Sequence, residues 1–126
     1  MISKMIKKVD KIWGSEEWIV NTKDYCGKIL NLKKGFRGSI HYHKNKHETF
    51  YLLEGKVLLE LGDELKKKIL SVGDSVILEP GTKHRFTPLK DSKIIEFSTH
   101  HEDSDTYRDS KSERVDINKI INELEK

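Results

Sequence analysis

Cysteine is nearly absent from this chain of 126 residues: Cys26 stands alone. One thiol excludes an internal disulfide and any multi-thiolate metal site, and a reducing cytoplasm is the expected compartment. Long apolar runs are missing too. No stretch approaches the ~18 apolar residues of a membrane span, so no membrane partner is expected. Met1 to Lys11 alternates Ile and Met with Lys and lacks the continuous apolar core of a secretory signal. Arginine is scarce, with four among 24 cations. A nucleic-acid-binding face would concentrate its basic charge and favour arginine. Here the lysines interleave with 21 acids, and the net charge of +3 describes a solvated surface. No nucleic-acid partner is expected. Repeats and low-complexity segments are also lacking.

What remains is a pattern of short apolar clusters. The length fits one domain, residues 1–126, able to bury roughly two-thirds of its unfolded surface. The clusters alternate with period two and are punctuated by turns at Lys34-Gly35, Glu54-Gly55, Gly62-Asp63, Gly73-Asp74, Pro80-Gly81 and Lys90-Asp91. Strands are expected at 18–20, 28–32, 39–43, 48–54, 57–61, 67–70, 75–78, 84–87 and 93–99. Many short strands at even spacing predict an all-β sandwich or barrel, here over about residues 8–100. The polar stretch 100–114 reads as an extended arm or loop. Residues 116–126 read as a short C-terminal helix: Ile117, Ile120, Ile121 and Leu124 share one face, and Asp116 is the expected N-cap. A helix that short must dock to be stable.

Four of the six histidines lie between residues 41 and 84. His41 and His43 are two apart, so on a strand both point to one face. Glu48 follows within a hairpin's length, and His84 opens a later strand after the Pro80-Gly81 turn. Three neutral nitrogens and one anionic oxygen suit a single divalent transition metal (Zn, Mn, Fe, Co or Ni) and leave two positions of an octahedral shell open. His47, beside Glu48, faces the other way on a strand and reads as a surface residue.

These residues resemble the two motifs of the cupins. The first reads Gly35-x5-His41-x-His43-x4-Glu48-x6-Gly55 and agrees at every fixed position. The second reads Gly73-x5-Glu79-x-Gly81-x2-His84-x3-Pro88; Glu79 replaces a proline and Pro88 an asparagine, neither of them a metal ligand in the family. The resemblance implies a double-stranded β-helix, or jelly roll, with the metal inside near one mouth and His41, His43, Glu48 and His84 as its ligands. Outside the motifs, Trp13-Gly14-Ser15-Glu16-Glu17 and the acidic stretch Glu102 to Arg108 resemble the mannose-6-phosphate isomerase-like cupins. Ile12 stands where that group has proline, and its terminal Tyr-Gly-Arg is absent.

Parity places Arg37 and Ser39 with His41 and His43, Phe50 and Leu52 with Glu48, and Phe86 with His84. Arg37 is the candidate anion clamp, and Lys83 a second place for a phosphate. Glu96 and Lys28 are candidate acids or bases if they point inward. The expected activity is isomerisation or epimerisation of a sugar or sugar phosphate, with Arg37 and Glu96 as candidate catalytic residues. An Fe(II)-dependent dioxygenase and a non-catalytic carbohydrate-binding domain are the alternatives. Bulk on both faces of the 49–53 strand calls for outside cover, so a homodimer is expected.

Overall fold

The structure, a computed structural model, describes residues 2, 4 and 7–126. The Met1–Lys11 stretch therefore lies partly outside the described residues. Thirteen strands run in chain order. They are β1 (Lys7–Lys11), β2 (Gly14–Asn21), β3 (Cys26–Leu32), β4 (Phe36–Arg37), β5 (His41–His43), β6 (Glu48–Glu54), β7 (Lys56–Leu61), β8 (Lys66–Ser71), β9 (Ser75–Leu78), β10 (His84–Pro88), β11 (Ser92–Ser98), β12 (Thr106–Arg108) and β13 (Glu113–Arg114). One helix, α1 (Ile117–Leu124), ends the chain, and a 3-10 turn spans Asp103–Asp105.

Every pairing is antiparallel. A six-stranded sheet runs β1-β2-β3-β11-β6-β9, and a five-stranded sheet runs β12-β5-β10-β7-β8. The short pair β4-β13 lies apart. The two main sheets do not join into a closed ring, but they share one core. Leu30, Leu52 and Ile94 come from the first, and Val57, Leu59 and Phe86 from the second. This is an all-β jelly roll with a short C-terminal helix. Alternation explains which residues enter it: in β6, Glu48, Phe50 and Leu52 are buried while Thr49 and Tyr51 face out.

The chain passes from β6 in one sheet to β7 in the other at Gly55, whose φ is +94°. A Cβ there would sit 2.1 Å from Ser92 Oγ and 2.6 Å from Asp91 O. Both the backbone conformation and the close approach require glycine. At the other end of the chain, Asp116 caps α1 by accepting a hydrogen bond from the Lys119 N–H at 3.3 Å. Ile117 is buried, which docks the helix.

Two features differ from the sequence reading. β1 was not expected, because Lys7–Lys11 has only one apolar residue in five; it forms by pairing with β2 over its full length. The stretch 100–114 is not a free arm. β12 pairs with β5 and β13 with β4, so the segment is held by backbone bonds that its polar composition conceals. Among the described residues, no helix is long and apolar enough to cross a membrane.

Candidate metal centre

His41 and His43 stand on β5, and His84 opens β10 directly opposite His41. One ligand nitrogen from each of the three lies within 4.8 Å of the others. A backbone carbonyl fixes each ring. Nδ1 of His41 lies 3.0 Å from Ser39 O, that of His43 3.1 Å from Asp105 O, and that of His84 3.0 Å from Thr82 O. A carbonyl only accepts, so each Nδ1 carries the hydrogen and each Nε2 presents a lone pair. His84 Nε2 is buried and has no partner. A buried polar atom without a partner is costly, and a metal ion would satisfy it.

Burial keeps these rings neutral. It pushes the pKa of His43 down to about 3, with help from the Lys46 charge, and that of His84 down to about 4. His41 is held well below its ordinary 6.5, first by burial and then by His84. Neutral imidazole is the form that ligates. Glu48, on β6, completes the set. Its Oε1 is 3.6 Å from His43 Nε2 and its Oε2 is 3.8 Å from His84 Nε2. Burial, reinforced by the Glu96 charge, raises its pKa to about 7. Three convergent imidazoles with a carboxylate beside two of them are a donor set that fits a divalent transition metal.

A charged cluster adjoins the histidines. Lys46 is 3% exposed; its Nζ pairs with Glu48 Oε1 at 2.9 Å and donates to Glu96 Oε2 at 3.2 Å and His101 Nδ1 at 2.8 Å. His101 in turn donates from Nε2 to Asp103 Oδ1 at 2.9 Å. Burial opposes the ionisation of Glu96, but the Lys46 and Lys28 charges hold its pKa below the ordinary value. Lys28, almost fully buried, sits 3.5 Å from Glu16 and over the Trp18 ring.

The loop between His43 and Glu48 is shaped from a distance. Asp105, buried in the 3-10 turn, accepts hydrogen bonds from the backbone N–H groups of Lys44, Asn45 and Lys46. Thus the 100–114 segment supplies the carbonyl that aims His43, the carboxylate that folds the ligand loop, and the His101 that receives Lys46.

Together these residues line a cavity of about 110 Å³. Phe50 and Phe86 form its apolar wall, and Lys11, Trp13 and Arg108 also line it. Glu96 and Lys28 point inward, as do Ser39, Phe50 and Phe86. Arg37 does not line it. Its guanidinium pairs with Glu113, with Nε 2.7 Å from Oε1. The parity argument misplaced Arg37 because the strand breaks between β4 and β5, where Gly38 instead bonds Phe86 O. Lys83 is likewise taken, by Asp109 at 2.7 Å. His47 is outside, half-exposed, 3.6 Å from Glu79. The sequence reading missed Lys46, His101 and Asp105. The first sits in a run of polar residues without periodicity, and the other two lie in the segment taken for an arm.

An antiparallel jelly roll with three convergent imidazoles inside one mouth defines a small barrel with a candidate metal centre. The chain belongs to the cupin family: the cupin domain matches over residues 28–97. No curated protein matches it. Among solved structures it is similar to KdgF from Halomonas sp., at 23% identity and a TM-score of 0.70, covering 81% of this chain and 98% of that one. It is similar to the capsular polysaccharide assembling protein CapF from Staphylococcus aureus, at 21% identity and a TM-score of 0.72, covering 86% of this chain and 32% of that one. It is similar to oxalate decarboxylase from Bacillus subtilis, at 17% identity and a TM-score of 0.69, covering 86% and 32%. The chain spans about a third of the last two. At these identities the likeness shows the fold.

Proposed function

We propose that this cupin is a metal-dependent enzyme that isomerises or epimerises a sugar or sugar phosphate, in the manner of the mannose-6-phosphate isomerase-like cupins. The observation that carries the reading is the set of Nε2 lone pairs of His41, His43 and His84, with that of His84 buried and unpartnered, beside Glu48. These four residues would hold one divalent transition metal (Zn, Mn, Fe, Co or Ni), which when bound acts as a Lewis acid on a substrate oxygen. The chain's own groups do the rest. Glu96, ionised inside the cavity, is the candidate acceptor of a substrate proton. Phe50 and Phe86 keep water from one side. With Arg37 and Lys83 occupied by carboxylates, the cations left to meet a phosphate are Lys11 and Arg108 at the cavity wall. The likeness to a capsular polysaccharide assembling protein supports a carbohydrate-related substrate.

The test is to assay phosphorylated aldoses after loading the stripped protein with Mn, Co, Zn, Ni or Fe(II) in turn. Interconversion of isomers that disappears in His43→Ala is the expected result. Oxygen consumption dependent on Fe(II) would replace the reading with a dioxygenase. Tight sugar binding without turnover in every metal form would leave a carbohydrate-binding domain.

The reading includes a cytoplasmic homodimer. The outer face of the six-stranded sheet supports the dimer. Ile77 is 62% exposed and Phe97 57%, and the Thr49 position joins them across β9, β6 and β11. Large apolar side chains in one row of a sheet call for cover.

A further inference from the structure

Lys46 lies two residues before a candidate ligand, inside the barrel, its ammonium hydrogen-bonded to Glu96 and His101 and ion-paired with Glu48. Its backbone N–H is fixed by Asp105 at 3.0 Å, so the chain delivers this cation to one place. Two carboxylates line the same cavity as the histidines, and Lys46 holds both. It takes Oε1 of Glu48 and Oε2 of Glu96; the latter oxygen also accepts from Ser98 Oγ at 2.8 Å. Oε2 of Glu48, on the His84 side, is left for a metal. Three nitrogens and one oxygen make four ligands. If Glu48 bound through both oxygens and Glu96 through one, the count would be six and an octahedral shell would be closed to substrate. Removing one buried cation also removes like-charge repulsion toward a dication.

We propose that Lys46 is a positioning residue that keeps the metal centre open: it limits Glu48 to one ligating oxygen and holds Glu96 off the metal, so that two coordination positions stay free for substrate. The inference rests on the metal-centre reading above. It predicts that loss of Lys46 tightens metal binding while closing the site.

The experiment compares wild type, Lys46→Met, Glu96→Gln and the double variant, each stripped with a chelator. Co(II) affinity is measured by competition with a chromophoric chelator. The visible Co(II) spectrum is then recorded with and without azide as an external ligand. Lys46→Met should bind Co(II) tighter by about tenfold or more, show a weaker, six-coordinate type of spectrum, and lose its response to azide. The double variant leaves no carboxylate orphaned at position 96. It should bind Co(II) tighter than Glu96→Gln alone and keep an azide response, which holds the test if Lys46→Met does not fold. The proposal is overturned if Co(II) affinity fails to rise on removal of Lys46 in either background, or if Lys46→Met folds and responds to azide as wild type does. Wild type that takes up no Co(II) would instead sink the metal centre itself, and this proposal with it.

Discussion

The two ends of the barrel interior are built on opposite principles. At one end Leu52, Val57, Leu59 and Ile94 are wholly buried within one apolar cluster. At the other, four imidazoles, three lysines and four carboxylates line a cavity. Phe50 and Phe86, packed edge to face with centroids 4.9 Å apart, form the boundary. The apolar end gains from burial alone and tolerates any side chain of the right shape. The polar end must satisfy every group it buries, and it does so with named partners for nearly all of them. Stability and chemistry thus draw on different residues of one interior, meeting at Phe50 and Phe86.

Breaking one end should therefore spare the other. The largest effect is expected from His84→Ala, which should abolish stoichiometric metal uptake after reconstitution, measured by elemental analysis, while the fold persists. Equal metal content in wild type and variant would count against the site. Next comes the apolar end. Leu59→Ala should cost about 2–5 kcal/mol of stability, read by denaturant unfolding. Metal stoichiometry should stay unchanged, and a loss of metal there would erase the separation. Asp105→Ala stands between the ends, removing the acceptor of three backbone N–H groups. It should cost about 1–3 kcal/mol and weaken metal binding as well, since the same turn aims His43.

Acid sharpens the comparison further. In the metal-free protein burial keeps His43 neutral down to about 3 and His84 down to about 4, and holds His41 well below its ordinary value, whereas in the unfolded chain all three titrate near 6.5. Below pH 6.5 the unfolded state thus binds more protons, and stability falls with pH. Glu48, raised to about 7, works in the opposite sense between 7 and its ordinary 4.5, but it is one group against three. The melting temperature of stripped protein should decline between about pH 6.5 and 4, with a smaller decline in His84→Ala. An equal decline in the two would remove His84 from the account. The smallest effect is expected at the tail. Asp116→Ala should cost about 1 kcal/mol through loss of the α1 cap, visible in thermal unfolding and not in metal content.

Much of the fold was legible because period-two alternation and glycine turns report local geometry directly. Strands β6 and β9 begin and end where the pattern places them. The histidines were legible for the same reason: residues two apart on a strand share a face, and β5 and β10 obey that rule. Arg37 shows its limit, since parity does not carry across the break at Gly38. β1 and the 100–114 segment show another. β1 is held by a local hairpin with β2 that its lysine-rich composition does not announce, and the 100–114 segment by long-range backbone pairing, Arg108 opposite His41, that no local composition encodes. Lys46 was hidden because a lysine between polar neighbours signals solvent. Only the carboxylates brought to it from β6 and β11 make its burial favourable.

The Asp105 turn also stands apart in sequence from the ligand loop it supports. The cupin match ends at residue 97, by which point His41, His43, Glu48 and His84 have all been synthesised. A nascent chain of that length holds every candidate ligand but neither the carbonyl that aims His43 nor the carboxylate that folds residues 44–46. The candidate centre has both supports only with the Asp105 turn and β12 seated on β5, so a metal held there would report that the chain's last segment is in place.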